Sequence, residues 1–215
     1  MKLWWQEYQT ILFDLDGTLI DSALDLSLCF NDILEKHGFS AIPQARLAAV
    51  SGMGSKAMMQ ETEIFLKISF TDAEKNAIRQ DFFSHYRANL LNNTRPFNGA
   101  EPLLQDLKHA NKQVILATNK PSFLTLPTIT GLGWDDLFDK IVCSDNVSQA
   151  KPHPQHLLEA MPQYIDLTQC AMVGDTDADY QAAIACPMTI FMTNAALLQA
   201  EKFPKALFLK ENYIL

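Results

Sequence analysis

Short runs of consecutive apolar residues alternate along the chain with longer stretches in which apolar positions recur every three or four residues. The four clearest short runs are Thr10–Phe13, Gln113–Ala117, Lys140–Cys143 and Cys170–Val173. A strand with one wet face would alternate apolar and polar side chains, so continuous apolarity predicts strands buried on both faces. Buried strands separated by helical patterns predict an α/β fold with a mostly parallel sheet.

Three of these runs end abruptly in polar residues: Asp14-Leu15-Asp16-Gly17-Thr18, Thr118-Asn119-Lys120 and Gly174-Asp175-Thr176-Asp177. Ligands of open α/β sheets sit at the carboxyl ends of the strands, so these groups are expected to converge on one crevice.

The first and second runs lie roughly a hundred residues apart, far more than one βα crossover needs, so the interval predicts an insert. Ser22 with Asp25 matches a capping box, and Leu26, Phe30, Ile33 and Leu34 follow at helical spacing until Gly38. Thr71 with Glu74 opens a second helix expected to reach about Leu91, with Ile78, Phe82, Phe83 and Tyr86 on one stripe that reads as core of the insert. Pro96 and Gly99 punctuate a polar return hinge, with the other hinge near Asp21. The expected division is a catalytic α/β core of residues 1–20 and 94–215, and a helical cap of residues 21–93. Pro127 is expected to kink or shorten the helix after the second run unless it falls in the first turn. Trp4 and Trp5, ahead of the first run, fit either packing on the sheet edge or an interface.

Composition narrows the function classes. With 48% hydrophobic and 20% charged residues the chain resembles ordinary globular proteins, and 215 residues suffice for a hydrophobic core. A formal net charge of -8 without a Lys/Arg-rich run disfavours nucleic acid as a partner. No apolar run reaches the ~18 residues of a membrane span, and Met1–Glu7 turns polar too early for a signal peptide, so a cytoplasmic protein with no membrane partner is expected. Cys29, Cys143, Cys170 and Cys186 are widely spaced in mostly apolar segments and read as buried reduced thiols. The oligomeric state is not legible.

Asp14 and Asp16 form a compact acidic pair at a strand end where Gly17 permits a sharp turn. One carboxylate can attack while the other moves protons. An aspartate attacking phosphorus needs a cation to offset charge repulsion; magnesium with oxygen ligands would serve, with Asp175 as a further oxygen source. Asp21 and Asp145 read as readily as helix caps or turn formers as they do as functional carboxylates. His153, between two prolines, reads as a rigid loop residue.

The segments Phe13–Ser22, Ala117–Pro121, Lys151–Pro154 and Val173–Asp179 resemble the four ordered motifs of the haloacid dehalogenase-like hydrolase superfamily. Their spacing, with a helical insert after the first, is similar to the phosphoglycolate phosphatase group. The resemblance implies a doubly wound parallel sheet with a Rossmann-like core and a small helical cap inserted after the first strand. It implies a magnesium-dependent phosphoric monoester hydrolase acting on small phosphorylated metabolites through an aspartyl-phosphate. Asp14 would be the nucleophile and Asp16 the general acid and base. Mg2+ would be held by the Asp14 carboxylate, the Asp16 backbone carbonyl and Asp175. Thr118 and Lys151 would hold the phosphoryl oxygens, with the Asn119 amide as a further donor. Asp179 would orient a metal-bound water or pair with Lys151. In the insert, Gly52, Ser55 and Lys56 resemble a specificity loop able to meet an anionic leaving group, which makes phosphoglycolate the first candidate substrate; the same residues also read as a simple interhelical turn. A sugar phosphomutase of the same superfamily and a non-catalytic metabolite-binding module are the alternatives. Two departures stand out: Pro187 where a glycine is expected before the next strand, and the extra negative charge of Asp177.

Overall fold

A computed structural model describes residues 3–210 and Tyr213. The chain divides into two compact units, Met1–Ile20 with Pro96–Leu215, and Asp21–Arg95.

The first unit is built on six parallel strands: β1 (Thr10–Phe13), β4 (Gln113–Thr118), β5 (Lys140–Cys143), β6 (Cys170–Gly174), β7 (Thr189–Met192) and β8 (Leu207–Phe208). Their order is β5-β4-β1-β6-β7-β8, the doubly wound arrangement in which the winding direction reverses between β1 and β6. Strand side chains alternate between two hydrophobic layers, which explains the unbroken apolar runs. Ile11, Phe13, Val114, Leu116, Ala171, Val173 and Phe191 face one layer; Leu12, Ile115, Ala117, Val142, Met172, Ile190 and Met192 face the other. Helix α5 (Ala100–His109) covers the first layer with Leu103, Leu104 and Leu107. Helices α7 (Gln155–Ala160) and α8 (Asp177–Ala185) cover the second with Leu157, Ala160, Tyr180, Ala182 and Ala183.

Trp4 and Trp5 lie in a 3-10 turn, Trp4–Glu7, and are buried in the first layer, with the Trp4 ring 4.4 Å from Phe191. They pack on a face of the sheet and not on its edge. Helix α6 (Ser122–Leu132) runs on through Pro127, so the expected shortening does not occur. Proline removes one main-chain bond, that to residue 123, while Leu124 and Ile129 on either side stay buried and hold the helix in place. Helix α8 ends at Cys186 without a left-handed residue, and Met188 N–H returns to Ala183, so Pro187 is reached without the positive φ that would call for glycine.

The second unit is helical: α1 (Ala23–Lys36), α2 (Gln44–Ser51), α3 (Ser55–Leu66) and α4 (Asp72–Ala88). Helix α1 packs on both α2 and α4. Its aromatic centre joins Phe30 to Phe82 edge-on at 5.3 Å and stacks Phe82 on Tyr86 at 5.7 Å. The Thr71–Glu74 capping box forms as expected. Ser22–Asp25 does not: the Asp25 carboxylate instead accepts from the Asn93 and Thr94 amides, the Asn93 side chain and the Thr94 hydroxyl. Four donors converging on one buried carboxylate outcompete a single helix-end amide. A separate two-stranded sheet pairs β2 (Ile20–Asp21) with β3 (Arg95–Pro96).

Candidate active site

The carboxyl ends of β1, β4 and β6 and the loop before α7 supply one connected cluster of charged side chains, all within the first unit. Asp14 follows β1 directly and its amide bonds to Val173 of β6, which places it at the reversal point of the sheet. Its side chain is buried, and Oδ1 accepts from Lys151 Nζ at 2.9 Å. Lys151 also donates to Asp179 Oδ1 at 2.6 Å and to the Ala117 carbonyl at 2.6 Å. One ammonium thus serves two carboxylates. Burial alone would lower the pKa of Lys151, but the charges of Asp14 and Asp179 hold it above its ordinary value.

Asp14 is not fully compensated. Burial, opposed by Lys151 and assisted by Asp179 and Asp16, pushes its pKa up to about 6. Asp175 is driven well above the carboxylate range by burial and by the charges of Asp179 and Asp14. Asp175 Oδ1 accepts from the Thr18 hydroxyl at 2.9 Å. Gly17, at φ 84°, lies so close that a Cβ there would sit 2.3 Å from Asp175 Oδ2, so the turn after Asp16 needs glycine for both its dihedral and its space.

Asp16 turns its carboxylate to Lys120, whose Nζ lies 3.0 Å from both oxygens. Lys120 is buried, and its amide bonds to the Thr118 hydroxyl at 3.2 Å. Asn119 donates from its side chain to the Lys151 carbonyl at 2.8 Å, joining the end of β4 to the Lys151 loop. Asp179 pairs with Lys151 through Oδ1 and closes the capping box of α8 through Oδ2, which accepts from Thr176 N–H and Oγ1. Both of its oxygens are therefore committed, the second of the two roles open for it. Asp177 is exposed and bonds Gln181.

Among the described residues, Asp14, Asp175 and Asp179 bring carboxylate oxygens within 4.8 Å of one another. The cluster sets four carboxylates, those of Asp14, Asp16, Asp175 and Asp179, against two ammonium groups, those of Lys120 and Lys151. Two more carboxylates than ammonium groups, the carboxylates all hard oxygen donors, fit a divalent cation of the magnesium type, whose charge would favour their ionised forms. With Asp179 engaged twice, Asp14 and Asp175 are the carboxylates best able to hold it.

Gly52, Ser55 and Lys56 belong to the helical unit. Gly54, at φ 84°, caps α3, and Ser55 and Lys56 form the first turn of that helix. Lys56 lines an open groove of about 690 Å³ made wholly of α3 and α4 residues, with Glu63, Lys75 and Arg79 around it and Met59 among its apolar lining. Asp145 caps α6 through the Ser122 amide at 2.8 Å, and Asp21 accepts from Ala23 N–H at 3.3 Å, so both serve helix starts. His153 likewise accepts from Gln155 N–H ahead of α7.

Sequence inspection missed two buried members of the network. Lys120 lies inside the Ala117–Pro121 segment, but a lysine after a strand ordinarily reads as solvated. His156 is fully buried; its Nδ1 accepts from Lys151 N–H and its Nε2 faces the Val142 carbonyl, each at 3.3 Å, which assigns the neutral Nε2–H tautomer. Burial and the nearby Lys151 charge lower its pKa to about 4.

A doubly wound parallel sheet with paired aspartates after its first strand, a threonine on the next, a buried lysine between carboxylates and an acidic loop after the fourth defines the class: a hydrolase whose polar centre lies at the strand ends of an α/β core. The family model for haloacid dehalogenase-like hydrolases matches residues 11–193, and the chain belongs to that family. It is 35% identical over 181 residues to a phosphoglycolate phosphatase of Xanthomonas campestris pv. campestris, covering 84% of this chain and 80% of that one. It is 30% identical over 175 residues to an N-acetylmuramic acid 6-phosphate phosphatase of Pseudomonas aeruginosa, covering 81% and 76%. Among solved structures, a predicted phosphoglycolate phosphatase from Haemophilus somnus 129PT superposes with a TM-score of 0.85 at 25% identity, covering 94% of both chains.

Proposed function

We propose that the protein is a magnesium-dependent phosphatase that hydrolyses small phosphate monoesters through an aspartyl-phosphate on Asp14. What supports this most directly is the pairing of Asp14 with Lys151 at the reversal point of the sheet, where an attacking carboxylate and a cation for the phosphoryl group lie 2.9 Å apart. Lys151 takes Asp14 through Oδ1, which leaves Oδ2 as the attacking oxygen. Attack forms an Asp14–phosphorus bond as the ester oxygen leaves with a proton from Asp16. Water then attacks phosphorus, Asp16 takes its proton, and inorganic phosphate departs from a regenerated Asp14. Asp16 holds Lys120 through both oxygens, so it must release Lys120 to reach the leaving group. Lys151, the Thr118 hydroxyl and the Asn119 amide hold the phosphoryl oxygens. Mg2+, held by the Asp14 carboxylate, the Asp16 main-chain carbonyl and Asp175, would offset the charge between carboxylate and phosphate.

The relatives named phosphoglycolate phosphatase and N-acetylmuramic acid 6-phosphate phosphatase point to small phosphorylated metabolites as the substrate class. Phosphoglycolate is our first candidate, with Gly52, Ser55 and Lys56 of the cap meeting its carboxylate. Among the described residues no helix is long and apolar enough to cross a membrane, and the four cysteines are free and buried. A cytoplasmic setting, which keeps thiols reduced, suits that arrangement.

The test is release of inorganic phosphate from a panel including phosphoglycolate, N-acetylmuramic acid 6-phosphate, hexose phosphates and p-nitrophenyl phosphate, with magnesium and after chelation. Turnover of at least one small ester that vanishes on chelation and returns with magnesium is expected. Interconversion of hexose phosphates without phosphate release would instead make the enzyme a mutase.

A further inference from the structure

The turn that follows the acidic pair is held by two residues from the far end of the chain. Asn194, two residues past the end of β7, donates from its side chain to the carbonyls of Gly17 at 2.7 Å and Thr18 at 3.1 Å. The Tyr213 hydroxyl donates to the same Thr18 carbonyl, so both residues hold one main-chain oxygen. Tyr213 is in turn tied down by the Trp4 indole N–H, which donates to its carbonyl at 2.8 Å, while the Trp4 ring packs on Phe191 of β7. Thr18 and Tyr213 are both buried.

This turn touches the chemistry on its other contacts. Its Thr18 hydroxyl donates to Asp175, Gly17 abuts the Asp175 carboxylate, and Asp16 immediately precedes it. Main-chain bonds from the Thr18, Leu19 and Ile20 amides to the Leu15 carbonyl, and from Gly17 N–H to the Ile20 carbonyl, make the turn a single rigid unit. A displacement of the Gly17 and Thr18 carbonyls would therefore carry Asp16 and the partner of Asp175 with it.

We infer that Asn194 and Tyr213 are positioning residues for the reaction, clamping the Gly17–Thr18 turn so that Asp16 and Asp175 are held in register with Asp14. Neither residue touches the reacting atoms, and neither lies in the four strand-end segments. The inference rests on the phosphatase assignment proposed above for its kinetic consequences, and on the acidic cluster alone for its consequence for cation binding.

The test uses the full chain with Tyr213→Phe, Asn194→Ala and the double variant. Three quantities are measured: Mg2+ affinity by calorimetry on the substrate-free protein, kcat and KM for p-nitrophenyl phosphate, and the thermal midpoint. Groups that orient metal ligands typically contribute ~10–100-fold to metal affinity or activity. Each single variant is expected to weaken Mg2+ binding and lower kcat by about tenfold at the lower end of that range, with KM within about twofold, and the double variant to lose more. Tyr213→Phe keeps the buried ring, so it remains informative if Asn194→Ala fails to fold. Mg2+ affinity and kcat within about twofold of wild type in Tyr213→Phe and in any folded Asn194 variant, whatever the thermal midpoint does, would reduce the clamp to a structural contact and overturn the inference. Wild-type protein that binds Mg2+ but turns over no ester would count against the phosphatase assignment instead, and the calorimetric comparison would still decide the clamp.

Discussion

The two units handle charge in opposite ways. In the sheet unit, Lys151 is 1% exposed and divided between Asp14 and Asp179, themselves 8% and 0% exposed at the side chain. In the helical unit the ion pairs are wet: Lys36, at 62%, meets Asp81, and His85 meets an Asp32 that is 60% exposed. Wet pairs contribute little to stability, and the helical unit is held by Phe30, Phe82 and Tyr86. Buried charges cost several kcal/mol each before pairing returns any of it, and a well-packed apolar cluster would often be more stable. A fold retains such a network where the charges serve chemistry, so burial of charge singles out the sheet unit as the one that carries the candidate site. Asp25 is the one buried charged residue among the described residues of the helical unit, and its partners are all the amides and side chains of Asn93 and Thr94, as a structural fastening requires.

The sharpest break of this contrast is Asp14→Asn. The amide is nearly isosteric and removes a carboxylate that is costly to bury, so the thermal midpoint should hold or rise. Turnover should fall at least ~10⁴-fold, as for nucleophile deletions elsewhere. A variant keeping a tenth of wild-type activity would disprove covalent catalysis by Asp14.

Lys151→Met tests the cost of the network from the other side. Asp14 and Asp179 are left buried without their ammonium, a loss of about 3–5 kcal/mol at neutral pH by urea denaturation. The sign with pH follows from the carboxylates. The folded pKa of Asp14 lies above its unfolded one, so the penalty on that group is present above the folded value and relieved as pH falls through it. The variant should recover part of its deficit between pH 7 and pH 5, whereas loss of a wet pair such as Lys36–Asp81 should show no such recovery.

The fold class was legible because strands buried on both faces must be apolar throughout, and because Asp14, Thr118 and Asp175 interrupt that apolarity at strand ends. Local spacing was less reliable where a distant partner intervened. Ser22 and Asp25 have the spacing of a capping box, yet Asn93 and Thr94, almost seventy positions on, recruit the carboxylate. Lys120, His156, Asn194 and Tyr213 escaped for the same physical reason: each acts through a contact that no local period encodes. Tyr213 meets Thr18 across 195 positions. Nothing in the residues around it marks that bond.

His156→Gln isolates one such contact. Wild-type His156 is neutral when folded, with a pKa near 4 against 6.5 unfolded. Its contribution is complete above pH 6.5 and is lost as pH falls toward 4, amounting to about 2 kcal/mol by pH 5. Asp14, with a folded pKa of about 6, and Asp175, also raised, work in the opposite sense, since both favour the folded state on acidification. In chelator the wild type should thus show a shallow slope between pH 7 and pH 5. The glutamine variant, which keeps an acceptor for Lys151 N–H and a donor for Val142, should become relatively more stable as pH falls. Parallel stability curves for the two proteins would show that His156 does not titrate with folding.

The smallest expected effect concerns the unit whose chemistry burial does not reveal. Lys56 is exposed in the first turn of α3 and shares its groove with Lys75 and Arg79, but Lys75 is already engaged by Glu63 at 3.0 Å. Our proposal gives Lys56 the carboxylate of the leaving group. An exposed cation facing a mobile anion gains only what a wet ion pair gains, so Lys56→Ala should raise KM for phosphoglycolate by about two- to fivefold. The kcat should hold, because the contact is the same in ground state and transition state. KM for p-nitrophenyl phosphate, whose leaving group carries no carboxylate, should stay within error, and added salt should shrink the difference between the two substrates. Equal changes for both substrates would place Lys56 outside substrate recognition and return the Gly52–Lys56 segment to the plain interhelical turn that its backbone already explains.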